Sequence, residues 1–144
     1  MEMENYQKAL EKAHRLLKIR PHTRIELIRK LTLKGYNAQL VEKVTQELLE
    51  QNLINDELFA QIYLDNLIRY KTFGFYGLKA KLMQRGIPAG EAETLLKEKL
   101  PIEAETEIAM RIVDRNSGLE KNKLAQKLAR KGFRSEVIRE VLKL

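Results

Sequence analysis

Leucines recur along this chain in pairs four residues apart: Leu27 with Leu31, Leu78 with Leu82, and Leu124 with Leu128. Four residues beyond each pair stands a glycine, Gly35, Gly86 or Gly132, followed directly by Tyr36, Ile87 or Phe133. A basic pair at the same spacing runs beside each leucine pair: Lys30 and Lys34, Lys81 and Arg85, Lys127 and Lys131. Residues four apart share one face of an α-helix, so each copy predicts a short helix with a leucine stripe and a cationic edge. Glycine can enter the left-handed conformation that closes a helix C-terminus, which predicts where each one stops. The glycines lie 51 and then 46 residues apart. One helical unit used three times is therefore predicted, each copy turning a positive edge outward.

The hydrophobic positions on either side fill in a helix before and after each short one. Tyr6, Ala9, Leu10, Ala13, Leu16 and Leu17 predict a first helix ending near Ile19, because Pro21 disfavours helical geometry at Arg20. Thr23 and Glu26 have the spacing of a capping box at the start of the next helix. Leu40, Val41, Val44, Leu48 and Leu49 then mark a third helix. In the middle of the chain, Leu58, Phe59, Ile62, Tyr63 and Leu67 predict one apolar helix side, and Thr72 to Gly77 reads as an aromatic loop. A short helix is expected from Leu78 to Arg85, with Pro88 in the first turn of its successor. Beyond Pro101 the expected helices are Ile102 to Val113, Leu119 to Lys131 and Ser135 to Leu144, with Ser117 and Glu120 at capping-box spacing. No segment alternates as a strand would. The predicted fold is all-α: three tandem three-helix repeats, at 1–54, 55–101 and 102–144, forming an elongated or curved array.

Charge sharpens this picture. The chain of 144 residues carries a net charge of +7, which favours anionic partners such as nucleic acid, an acidic protein or a membrane face. The charge is sorted by position. Asn66 to Gly90 holds Arg69, Lys71, Lys79, Lys81 and Arg85 with no carboxylate, and Lys121 to Ser135 holds six cations with none. A surface selected only for solubility would intersperse the two signs. Cations in a last helical turn are also favoured by the helix dipole, which accounts for Lys34, Arg85 and Lys131 but less well for Lys30, Lys81 and Lys127 a turn earlier.

Other chemistries find little support. The absence of cysteine excludes disulfides and thiolate metal sites and fits a cytoplasmic protein. The longest stretches free of Asp, Glu, Lys and Arg, such as Thr72 to Leu78, are too short for a membrane span or a signal-peptide core. His14 and His22 flank the Pro21 break and read as lone surface imidazoles. Glu103, Glu105 and Glu107 alternate at a spacing that sends neighbours to different helix faces, so they make no metal pair. No phosphate loop, nucleophile elbow or metalloprotease helix occurs, so no enzyme activity and no cofactor are expected. Phe73, Phe75 and Tyr76 form the densest aromatic cluster: one or both phenylalanines should fill a helix junction, whereas Tyr76 is the ring expected to meet a partner. Phe59 and Tyr63 are expected in the core.

In the second unit, Asp56-Glu57, Phe59-Ala60, Tyr63, Arg69, the Gly/aromatic turn, Leu78, Leu82 and Arg85-Gly86-Ile87 resemble the signature of the RecX family of bacterial regulatory proteins. The outer two units resemble that family in pattern alone. Members usually carry Gly-Pro before the short helix where this chain has Tyr76-Gly77, a departure that bears on the shape of that loop. The resemblance implies three tandem three-helix repeats, binding to the RecA filament on DNA, and inhibition of its recombinase, ATPase and co-protease activities. It also implies a cytoplasmic monomer that binds single- or double-stranded DNA more weakly alone. The candidate contact residues are Arg69, Lys71, Tyr76, Lys79, Lys81, Arg85, Lys30, Lys34, Lys123, Lys127, Arg130 and Lys131. The competing reading is a helical nucleic-acid-binding protein that acts without RecA.

Overall fold

The computed structural model describes residues 2–144, and all regular structure among them is helical. Nine helices are formed by these described residues: α1 (Glu2–Ile19), α2 (Arg24–Leu33), α3 (Ala38–Glu50), α4 (Asp56–Tyr70), α5 (Phe75–Gln84), α6 (Ala89–Lys99), α7 (Ile102–Arg115), α8 (Lys121–Arg130) and α9 (Ser135–Leu142). They follow the predicted threefold repetition, with α2, α5 and α8 as the short helices. The chain forms two compact units, one up to Ala60 and one over Gln61–Leu144.

In the first unit, α1, α2 and α3 pack pairwise around Ala9, Ala13, Leu27, Leu31, Val41, Val44, Leu48 and Ile54. Small residues at Ala9 and Ala13 let α1 approach closely, while the α2 leucines fill the centre. Thr23 and Glu26 make the predicted capping box, the Thr23 hydroxyl accepting from Glu26 N–H and the Glu26 carboxylate from Thr23 N–H.

In the second unit, α5 packs on α6, and α7, α8 and α9 pack on one another. Leu78 and Leu82 of α5, and Leu124 and Leu128 of α8, are buried as the stripe pattern requires. Each short helix ends in the same turn. Gly35, Gly86 and Gly132 have φ of 100°, 99° and 84°, and the N–H of the next residue reaches back to the second leucine: Tyr36 to Leu31, Ile87 to Leu82, Phe133 to Leu128. This is the Schellman closure, whose accompanying apolar contact explains why Tyr36, Ile87 and Phe133 follow the glycines.

Four expectations are corrected. The aromatic loop is shorter than predicted, because α5 begins at Phe75 and not at Leu78. Tertiary contacts hold its first turn, and those are invisible to local spacing. In α4 the apolar face is rotated: Phe59, Ala60, Leu64 and Leu67 are buried, whereas Leu58 and Ile62 are 52% and 54% exposed. Helix α8 starts at Lys121 and ends at Arg130, and Glu120 occupies its N-cap without a side-chain bond, so Ser117 and Glu120 make no capping box. Pro88 is the N-cap of α6 and lies just outside its first turn.

Candidate functional site

The cationic edges depend on how the short helices are held, and in the second unit one carboxylate does much of that. Glu105, one of three alternating glutamates on α7, is fully buried. Its Oε2 accepts from Phe75 N–H at 3.0 Å and Arg134 N–H at 2.9 Å. Those amides stand at the first residue of α5 and the N-cap of α9. One negative charge thus serves the positive ends of two helix dipoles. The Arg134 guanidinium pairs with Glu105 Oε1, donates to the Leu100 carbonyl at 2.8 Å and lies 4.5 Å over the Phe75 ring. Both oxygens of the buried Glu105 carboxylate thus find partners, as burial demands.

Backbone contacts complete the anchoring. Gly74 N–H donates to the Lys131 carbonyl at 3.0 Å, and Tyr76 N–H to the Gly132 carbonyl at 2.8 Å. The start of α5 therefore docks against the turn after α8 with no side chain between. A Cβ on Gly77 would collide with the Lys131 carbonyl oxygen, and one on Gly132 with the backbone of Gly77. The departure at Tyr76-Gly77 is thus a close-approach site inside a helix.

The sequence-predicted cations divide by environment. Arg69, Lys71, Lys123 and Arg130 are exposed, and Tyr76 is 58% exposed with its ring edge-on to buried Phe75. Others are engaged. Lys79 pairs with Glu93 at 3.2 Å, and Arg85 stacks 4.7 Å from the Tyr63 ring centroid. The hydrogen bond from Lys79, more than its charge, holds the Glu93 carboxyl below its ordinary pKa. Tyr63 is half-buried and meets Arg85, whereas Phe59 is in the core as predicted. Lys81 and Lys131 both lie over the Phe73 ring, at 5.1 and 5.2 Å, and Lys131 also donates to the Thr72 carbonyl and hydroxyl. Lys127 reaches Asn116 Oδ1 at 3.4 Å. The basic pairs consequently do not all point outward as predicted: their second-unit members fold partly onto aromatic rings.

In the first unit, Lys34 is exposed and Lys30 is tied back to a histidine. His22, expected at the surface, is 3% exposed. Its Nδ1 lies 2.9 Å from the Arg20 carbonyl, so it carries the proton, and Nε2 accepts from Lys30 Nζ at 2.8 Å. Burial first, opposed by the Arg20 carbonyl bond and aided by the Arg20 and Lys30 charges, lowers the His22 pKa. A shallow groove beside this pair is lined by Lys12, Leu16, Lys30, Leu33 and Lys34, and Leu33 is 87% exposed.

Among the described residues no group of three or more His, Asp and Glu side chains could hold a metal ion, and no helix is long and apolar enough to cross a membrane. The arrangement offers cations and rings to an anionic partner. Residues that sequence reasoning misses are Glu105 and Arg134, which set the junction; Phe73, singled out there only as a candidate junction filler, is the ring over which two lysines lie. Phe73 and Arg134 each stand in one of the two carboxylate-free stretches; nothing marks Glu105 apart from Glu103 and Glu107.

Comparison with known proteins gives a consistent answer. A family model described as "RecX, first three-helix domain" matches residues 9–48, and one described as "RecX, third three-helix domain" matches residues 113–142. The outer units therefore carry family-specific character beyond bare pattern. A regulatory protein RecX of Chlorobium limicola is 35% identical over 134 residues, covering 90% of this chain and 84% of that protein. One of Chlorobaculum tepidum is 34% identical over 143 residues, covering 94% and 87%. The crystal structure of RecX from Lactobacillus salivarius superposes with a TM-score of 0.86 over 98% of this chain and 96% of that one; at 23% identity it speaks for the fold.

Proposed function

This chain belongs to the RecX family, and from that premise we propose that it binds the RecA filament on DNA and limits recombinase activity, ATP hydrolysis and co-protease action. The observation that carries the reading is the threefold repetition of a basic edge at equivalent places, one in each short helix, in a chain whose relatives are regulatory proteins. A filament repeats too. Three weak contacts on successive subunits combine through effective concentration, which suits a binder with one cationic edge per repeat. The repeats at 1–54, 55–101 and 102–144 are then the units of contact, on a cytoplasmic monomer with no cofactor and no chemistry of its own.

Titration into RecA assembled on single-stranded DNA tests this. ATP hydrolysis by RecA should slow at protein concentrations well below those that retain bare DNA, and unchanged hydrolysis would overturn the reading. Charge reversal belongs at Lys71, Lys123 and Arg130, which are exposed, because Lys79 and Arg85 hold structural partners. The triple variant should keep its helicity and lose inhibition. A second reading, DNA binding without RecA, draws on the carboxylate-free stretches Asn66–Gly90 and Lys121–Ser135. It requires tight binding to bare DNA that weakens steeply with salt.

A further inference from the structure

Phe73 gathers cations from two parts of the second unit that are far apart in sequence. Lys81 comes from α5 and Lys131 from the turn after α8, and each ammonium sits within 5.2 Å of the same half-buried ring. Neither has an ion-pair partner among the described residues, in contrast with Lys79 nearby on α5, which has Glu93. The Thr72 carbonyl and hydroxyl take donors from Lys131, leaving one of its three N–H bonds unassigned; the Lys81 ammonium has no hydrogen-bond acceptor among the described residues. Lys127 and Arg115 add further positive charge close by, and with burial as the larger cause they push the Lys131 pKa down. A partly desolvated lysine facing like charges, with no carboxylate supplied, is unfavourable until an anion arrives. Tyr76 lies beside this cluster, its N–H bonded to the carbonyl of Gly132, and its ring is 58% exposed.

We infer that Phe73, Lys81 and Lys131 form a phosphate-binding niche, with Lys127 and Arg115 reinforcing the charge and Tyr76 beside it as a stacking face for the attached base. The ligand is one nucleotide unit: a phosphate for the ammonium groups and a base for the tyrosine. A carboxylate would neutralise one lysine, whereas a phosphate offers acceptor oxygens to more than one donor. Such a unit comes either from a nucleic-acid strand or from a free nucleoside polyphosphate. This deepens the filament reading and rests on it for where the nucleotide is met, at a strand held in the filament.

The test uses the full chain without RecA. Binding of a labelled oligo(dT) strand and of ATP is measured for the wild type, for Lys81→Gln/Lys131→Gln, and for Arg139→Gln/Lys143→Gln, an equal charge loss at exposed positions elsewhere. The niche variant should bind the strand about tenfold more weakly, and its log–log salt slope should fall by about 0.7, the value for one phosphate contact on a single strand. The control should change less than about threefold. Loss confined to ATP supports the niche and makes the free nucleotide its ligand. Niche and control variants indistinguishable toward both ligands would overturn it. Should the niche variant fold poorly, the wild type decides: oligo(dT) or ATP should raise the Lys131 side-chain titration midpoint followed by NMR, and no movement with either overturns the assignment. Strand binding through the niche with no effect on RecA would sink the filament reading and leave the niche standing; RecA inhibition with a silent niche would do the reverse.

Discussion

Helices α2 and α5 occupy the same place in successive repeats and face the same problem, four backbone N–H groups free at the start. They solve it differently. Helix α2 satisfies its own first turn through Thr23 and Glu26, three residues apart, and adds Asp56 at the start of α4, whose Oδ1 accepts from Arg24 N–H at 2.8 Å. Helix α5 has Gly74 at its N-cap and therefore no side chain to offer. Its donors go to Glu105, thirty residues on, and to the carbonyls of Lys131 and Gly132. In both repeats a carboxylate from the first helix of the next one reaches the first helical amide: Asp56 for Arg24, Glu105 for Phe75. Only in the second is it fully buried. A helix capped by its own sequence can begin before tertiary structure exists, whereas one capped from afar forms together with the elements that cap it.

The sharpest way to break this contrast is to delete the two distant carboxylates. Glu105→Ala leaves the Arg134 guanidinium without its ion-pair partner and two helix-terminal amides unsatisfied, and it should destabilise by about 3–5 kcal/mol in urea unfolding. Asp56→Ala, at a half-exposed position backed by the capping box, should cost only about 1 kcal/mol. Equal losses would mean that burial does not distinguish the two junctions.

Close backbone approach gives the next largest effect. Alanine is the better helix former, and a methyl added at Gly90 in α6 would meet open space, so Gly90→Ala should stabilise by about 0.5–1 kcal/mol. Gly77→Ala in α5 places the same methyl against the Lys131 carbonyl and should instead destabilise by about 1–3 kcal/mol. Opposite signs in thermal melts would confirm that the α5 start is docked backbone to backbone. Thr23→Ala comes after these, with an expected loss of about 1 kcal/mol from the local cap of α2.

The parts legible in the sequence are those decided by near neighbours. The leucine pairs, the three glycine turns and the Thr23 box each involve residues within five positions, and the structure has them all. Spacing alone puts the α5 start three residues too late, because its caps come from α7 and the turn after α8, and no spacing rule links Phe75 to Glu105. The α4 face escapes periodicity for a related reason. Leu58, Phe59, Ile62 and Tyr63 are all apolar enough to read as inward, so the pattern does not choose between adjacent faces, and packing selects Phe59 and Leu64. The candidate cations are identifiable by type, but their engagement is not. That Lys30 meets a buried imidazole, and Lys81 and Lys131 one ring, depends on contacts spanning up to 59 residues.

The smallest effect separates the α2 start by pH. His22 precedes the Thr23 cap and is buried as the neutral tautomer, its Nε2 accepting from Lys30. Protonation would remove that acceptor and set an imidazolium beside the Arg20 and Lys30 cations, with the Glu26 carboxylate acting in its favour. Its folded pKa lies below the ordinary value of 6.5, so the unfolded chain binds the proton first. The contribution is therefore complete above about pH 6.5 and is lost as pH falls through the lower folded value. The wild-type melting temperature should accordingly drop more between about pH 7.5 and about pH 5.5 than that of His22→Gln, which cannot take up the proton. Parallel slopes in the two proteins would show that His22 titrates alike folded and unfolded, and that the histidine contributes packing alone to the start of α2.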